Sequence, residues 1–550
     1  MLRKKNKGIT LVALVVTIVV LLILAGISIS ALTNTGIFQK AKEAKQKSEN
    51  ASEKEQSLLY GYEDELSKYT SNDRWDGKVN KPELMTGMTA IKFTEPTGNT
   101  EDTKGKEEKV SDSSKNDWYN YSEKKWANAK TNDESMWVWI PRYAYKVIYN
   151  DPNDKSKGGV FDIVFLVGTS DNYYDKDGKL QTAQRQTSKD QTIKTDGDVY
   201  TVHPAFTNES SIDYANGGWK KELTGIWVSK FEAGFVDKST FDADKEKYSS
   251  SVYYTQTNVF TSLNKKEDAR NYLNGIYGSN ATKITYPTFQ GEKYSMNYIN
   301  HSDAFSISRA LTEENNVYGL KSSSTDSHLI KNSEWGAVAY LGQSKYGLNT
   351  TNIRINNVNV NDYNNHVYAM TGYAARTEKE GDKGYAEKGN AYVWNQLDGT
   401  AASCTGTIYG IYDMSGGTWE RSAAIVNNGN SRLNEYGSSI MNALNNGKST
   451  EYVTLYHKGE NSKQSIDDAS NSNYAANTKI YGDAIHETST AGVGQTSWYS
   501  DYSYFAGLNY PFFVRSGHYR HTSSAGLFYF ERDAGNGHYG GGFRSVLVTQ

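Results

Sequence analysis

The residues with chemical capacity gather toward one end of the chain. Three of its nine histidines are His518, His521 and His538. His518-x-x-His521 is a spacing that can hold a metal, but no acidic triad or cysteine stands beside it, so these read as surface histidines. Cys404 is the one cysteine, which rules out an internal disulfide and any CxxC-based zinc or redox centre; it reads as a small buried hydrophobe. Asp175-Lys176-Asp177-Gly178 has the look of a calcium loop. Aligned on Gly178, however, the first ligand position falls on Tyr173 and the twelfth on Gln184, so the pattern fails and a β-turn is the better reading. The chain has no nucleophile elbow, P-loop, HExxH or dinucleotide fingerprint. No catalytic residue, metal ligand or cofactor is assigned; the Asp- and Asn-rich loops leave calcium open, with no spacing that specifies it.

Composition narrows the class further. The chain has 550 residues and a net charge of −3, so no basic field attracts nucleic acid. Aromatic residues make up 13%, with 42 Tyr and 11 Trp, beside 48 Gly and 7 Pro. Tyr, Asn, Ser and Gly are the types that adaptable binding surfaces use, although an AT-rich genome favours them as well.

The elements that would carry such a surface begin with an anchor. Residues 1–8, MLRKKNKG, form a basic leader, and residues 9–32 form an unbroken apolar run without a charge. As a helix that run is about 36 Å long, enough to span a bilayer core, with the basic end cytoplasmic and the rest outside. The small residue Gly8 precedes the apolar run, unlike the order in a secretory signal. Lys7-Gly8-Ile9-Thr10-Leu11-Val12 resembles the prepilin cleavage motif of type IV pilins and pseudopilins. The resemblance implies processing between Gly8 and Ile9 by a prepilin peptidase, with other pilin subunits as partners. The family's glutamate at the fifth mature position is Ala13 here, which puts filament assembly in doubt and leaves a plain, uncut anchor open. Residues 33–70 read as a helical stalk, with Leu58, Leu59, Tyr62, Leu66 and Tyr69 as its apolar stripe.

Residues 71–135 read as a polar connector, solvated over 97–117, with GMTAIKF and WYNYSEKKWANA free to dock on the C-terminal head. In that head, residues 136–550, short aromatic or apolar runs alternate with polar turns. MWVWIPRYAY, GGVFDIVFLVG and GIWVSKFEAGF are strand-like; 264–274, 305–314 and 333–341 are helical candidates, the last with Ser333 as N-cap. Long polar stretches, such as 343–390 and 427–500, make the head loop-rich.

Five pieces of the head form a constellation. GIWVSKFE, around Trp227, reads as a strand, and NSEWGAVAY, around Trp335, as a helix start. GIYDMSGGTWE places a turn at Asp413 before a buried-looking Trp419. The strands FFVRS and GFRSVL carry Arg515, Phe543 and Arg544, guanidiniums suited to pinning loops through carboxylates or carbonyls. Together they resemble the formylglycine-generating-enzyme type of C-type-lectin-like fold. The enzymes of that family use a cysteine pair, which this chain lacks, so the resemblance implies the fold without the oxidase chemistry.

The segment 511–547 also resembles the variable region of retroelement-diversified lectin-fold proteins. That resemblance implies a ligand patch made of His518, Tyr519, Arg520, His521, Glu531, Asp533, His538 and Tyr539. The expected whole is an α+β protein: a transmembrane and stalk helix carrying a loop-rich C-type-lectin-like head at the cell surface, N-terminus cytoplasmic before processing. It would bind an unknown extracellular ligand or adhere, without catalysis. A structural pilus or pseudopilus subunit and a retroelement-diversified receptor remain open; a degenerate oxidase is disfavoured.

Overall fold

The computed structural model describes residues 79–111, 113, 117–187, 191–208, 218–234, 287–297, 299–314, 316–361, 367–444, 449–460 and 465–550. The expected α+β class with an N-terminal membrane and stalk helix is corrected by the elements these residues form. They are mostly strands, with few and short helices; the longest α-helices, Asn332–Gly342 and Ile466–Ala476, have 11 residues each. Among the described residues no helix is long and apolar enough to cross a membrane. The leader, the apolar run, the stalk and the 264–274 candidate lie outside the described residues. The predominance of strands follows from the short runs of aromatic and β-branched residues, whose side chains pack on a pleated surface.

Two sheets carry the fold. The first runs, in spatial order, Thr325–Leu329, Ser545–Thr549, Gly225–Ser229, Met136–Pro141, Asn128–Lys130, Thr89–Phe93, Glu107–Lys109, every pairing antiparallel. MWVWIP and GIWVS are apolar throughout rather than alternating, as strands covered on both faces must be, and both lie at the middle of the sheet. Trp137, Trp139 and Trp227 are buried there, with the Trp139 and Trp227 rings 5.3 Å apart. The expected polar connector supplies three strands of this sheet, and Trp118 and Trp126 are buried in its core. Its edge strand, Glu107–Lys109, is charged and exposed, which blocks pairing with another chain.

The second sheet is built around Trp419–Val426. This strand pairs parallel with Thr454–Tyr456 and Gly541–Phe543, and antiparallel with Phe512–Arg515, beyond which lie Phe530–Asp533, Ser503–Tyr504 and Val493–Gly494. Arg544 is the single residue between Gly541–Phe543 in this sheet and Ser545–Thr549 in the first.

The helix read at 333–341 spans Asn332–Gly342, but its cap is Lys331 rather than Ser333. The Glu334 carboxylate accepts the Lys331 N–H at 2.8 Å, the N3 half of a capping box. Ser333 Oγ, two residues later, is buried without a hydrogen-bond partner. The 305–314 candidate is His301–Arg309 followed by a 3₁₀ turn. At 175–178 the chain turns between paired strands Asn172–Tyr174 and Leu180–Thr182. Asp175 accepts the N–H groups of Asp177 and Lys179, so its carboxylate caps the turn.

Candidate ligand-binding site

The site is assembled by loops that leave the second sheet. The 410–419 turn needs left-handed backbone three times, at Asp413 (φ 62°), Gly416 (φ 78°) and Gly417 (φ 68°). The connection from Phe512–Arg515 to Phe530–Asp533 is clamped against it. Ser516 Oγ donates to Thr418 O at 2.8 Å, and Tyr519 N–H donates to Gly417 O at 3.0 Å. The 534–540 loop closes the other side, where Trp419 N–H donates to Gly540 O at 2.7 Å. Gly540 lies so close to the Trp419 ring that a Cβ there would stand 2.7 Å from it.

Trp419, expected to be buried, is only half-buried and forms the centre of the site. Three histidine rings stand around its indole, with centroids at 4.0 Å for His518, 5.0 Å for His521 and 5.3 Å for His538. Its Nε1–H donates to Tyr529 Oη at 2.9 Å, and that hydroxyl donates in turn to Glu531. His518 and His521 stack at 4.4 Å. Burial, reinforced by the neighbouring His521, pushes His518 down to about 3; burial pushes His521 down to about 4. Both rings are therefore neutral at physiological pH. His518 Nδ1 accepts the Arg520 N–H at 3.0 Å, which places its proton on Nε2.

The eight expected patch residues divide by environment. His518 is 3% exposed and Tyr519 is 0% exposed, so these two support the surface from beneath and His518 is not a surface histidine. Asp533 belongs to a buried ion network. Arg421 Nη1 donates to Asp533 Oδ1 at 2.8 Å and to His301 Nδ1 at 2.7 Å, and His538 Nε2 lies 3.3 Å from Asp533 Oδ2. Burial acts to raise the Asp533 carboxyl, but Arg421 and His538 hold it well below the usual carboxylate range. Glu531 is turned to Tyr529, and burial pushes it up to about 6. Arg520, His521, His538 and Tyr539 remain at the surface, with Tyr539 38% exposed.

Sequence reasoning missed two members. Trp419 reads as core because it is a large aromatic that directly follows the 410–418 turn. Tyr385, 54% exposed, reaches the site from a distant loop, with the Arg520 guanidinium 5.2 Å from its ring; nothing local to residue 385 signals this.

Apart from Trp419, the residues expected as fold motif are buried, the polar ones in hydrogen-bond networks. Arg544 donates to both oxygens of Glu420, to Ser229 O at 2.8 Å and to Tyr412 O at 2.8 Å. Asp413 accepts the Gly372 N–H at 2.9 Å and the Asn356 amide at 2.8 Å. Glu232 accepts the Thr418 N–H at 2.9 Å and hydroxyls of Thr418 and Ser295. Burial, with Asp413 and Glu420 close by, pushes Glu232 up to about 8, so this carboxyl carries a proton at neutral pH. Arg515 donates to the carbonyls of Asp483 and Ala484 at 3.0 and 3.1 Å, and Trp335 Nε1–H to Leu527 O at 2.8 Å. Trp227 and Phe543 are fully buried. Cys404 is buried, and its thiol is pushed up to about 12 by that burial.

Among the described residues no group of three or more His, Cys, Asp or Glu side chains is arranged to hold a metal ion. No protein-family model matches the chain, and no curated protein matches it.

Proposed function

We propose that this chain is a recognition protein, and that the surface around Trp419 is where it binds an extracellular partner. The carrying observation is the half-buried Trp419 indole enclosed by His518, His521 and His538, with Tyr539 and Tyr385 exposed beside it. Large aromatic side chains with few rotatable bonds give contact area at low entropic cost. Trp, Tyr and Arg are also the residue types that dominate binding energy at interfaces. A scaffold clamped at Ser516, Tyr519 and Trp419 holds them in place before a partner arrives, which lowers the cost of binding. The likeness of 511–547 to the binding segment of lectin-fold proteins supports the same assignment.

On this reading the site does no chemistry. Both ring nitrogens of His538 are engaged, Nδ1 by the Gly540 N–H at 3.2 Å and Nε2 by Asp533, so this ring is fixed as part of the surface.

The test is binding of the full-length chain, displayed on cells, to arrays of extracellular proteins and glycans, in parallel with Tyr385→Ala/Tyr539→Ala. The expected result is a partner captured by the unaltered chain and lost, by tenfold or more in apparent affinity, in the double variant. Equal capture by both would put recognition elsewhere on the molecule.

A further inference from the structure

Arg520 is the unusual cation of this surface. Its side chain is exposed, and its guanidinium stands 5.2 Å from the Tyr385 ring, 5.5 Å from Tyr519 and 6.0 Å from Tyr539. It forms no ion pair among the described residues. The patch does contain carboxylates, but each is committed elsewhere: Asp533 to Arg421 and His538, Glu531 to Tyr529. The short helix Glu378–Gly381 packs against Thr522–Ser524. With Asp382 and Lys383 beside it, that helix carries three acids, Glu378, Glu380 and Asp382, and two lysines, Lys379 and Lys383, and Glu380 is held by Lys383 at 2.6 Å. His518 and His521 are neutral rings. Arg520 is therefore a positive charge that no carboxylate of the described residues holds in an ion pair, set among aromatic faces and facing water.

Resting on the recognition site assigned above, we infer that its partner is a protein segment carrying an acidic side chain next to an apolar one. The Asp or Glu carboxylate docks on Arg520, and the apolar neighbour lies on the rings of Tyr539 and Tyr385. A guanidinium presents a planar fork of N–H donors that matches a carboxylate two bonds at a time. Stacking against tyrosines restrains it, so less side-chain freedom is lost on binding. One guanidinium balances one carboxylate; a multiply charged phosphate or sulfate polymer would meet too little positive charge here. The aromatic faces on either side give the charge contact a partly desolvated setting, in which a charge-assisted hydrogen bond is stronger than in open water.

The experiment is selection from a phage-displayed library of random dodecapeptides on the immobilised full-length chain, its Arg520→Ala and Arg520→Gln variants, and Tyr539→Ala. Tetragalacturonate is titrated against each as an acidic sugar. Arg520 is exposed, and equal melting temperatures confirm that its variants keep the fold. The expected result is enrichment of peptides with Asp or Glu adjacent to an aromatic or aliphatic residue. Their binding should fall at least tenfold in both Arg520 variants and in Tyr539→Ala. Enriched peptides without an acidic residue, or acidic peptides bound equally by the Arg520 variants, would overturn the charge assignment while leaving the recognition site standing. Arg520-dependent binding of tetragalacturonate with no peptide enriched would also overturn it, in favour of an acidic glycan. Binding of neither probe by any form would overturn both the inference and the recognition site.

Discussion

Arg544 holds Glu420 through a two-pronged contact, Nε to Oε2 at 2.6 Å and Nη2 to Oε1 at 2.5 Å, with both side chains fully buried. The same guanidinium reaches the carbonyls of Ser229 and Tyr412. It thereby joins a strand of the first sheet, a strand of the second and the turn that leads to Trp419. Removing it would leave the Glu420 charge buried and two carbonyls without donors. Arg544→Ala should cost about 3–5 kcal/mol. Arg544→Lys should restore little, since an ammonium cannot serve a planar carboxylate and two carbonyls at once. Denaturant unfolding followed by far-UV circular dichroism reads both.

The proton on Glu232 makes stability depend on pH. Its folded-state value lies near 8, above its ordinary value of 4.5. The stabilisation is therefore fully present below about 4.5 and is lost as pH rises through about 8, at about 1.4 kcal/mol per pH unit within that window. Glu232→Gln keeps the shape and cannot ionise. The difference in stability between variant and parent should shift in favour of the variant as pH goes from 6 to 9, and a flat difference would contradict the assignment. Taking the difference cancels the histidines, such as His301 and His518, whose depressed values act on the acid side.

Gly416 combines a left-handed backbone with a close approach: a Cβ there would stand 2.2 Å from Asn356 O. Gly416→Ala should cost more than the 1–2 kcal/mol or so of the backbone conformation alone. It should also weaken partner binding through the displaced Trp419. Melting temperature and binding measured together separate it from Gly384→Ala, which shares a positive φ but meets nothing within 4 Å.

The Lys7-Gly8-Ile9 motif predicts that protein recovered from cells begins at Ile9. Mass spectrometry of the N-terminal peptide decides it, and an intact Met1 leader would remove processing from the account.

The parts of this protein that its sequence reveals are those where local and tertiary demands agree. MWVWIP and GIWVS, unbroken apolar runs, and NSEWGAVAY, with Trp335 and Val338 at helical spacing, form the elements their patterns call for because those residues are also buried. Thr89–Phe93 and Asn128–Lys130 are harder to see. They are short, sit among charged loops, and acquire strand character only by pairing with each other and with Met136–Pro141. The surface around Trp419 is partly visible: Arg520, His521 and Tyr539, named from the C-terminal segment, lie at the surface, whereas Trp419 is disguised as core. Tyr385 joins the site through tertiary packing alone. Polarity likewise conceals that Asp533 is an interior ion, since only the fold brings Arg421 and His301 to it.

The place of Ser545–Thr549, between the edge strand Thr325–Leu329 and Gly225–Ser229, bears on how the molecule is made. Gly225–Ser229 and Thr325–Leu329 do not pair with each other; both pair with this strand, which is translated after them. During synthesis Thr325–Leu329 must wait apart from the five strands that run from Gly225–Ser229 to Glu107–Lys109, until a segment more than two hundred residues downstream of it has left the ribosome. The wait exposes an unpaired backbone edge on the apolar strand Gly225–Ser229. A chaperone that shields such edges, or a slow step before release, would therefore govern how much folded protein a cell obtains.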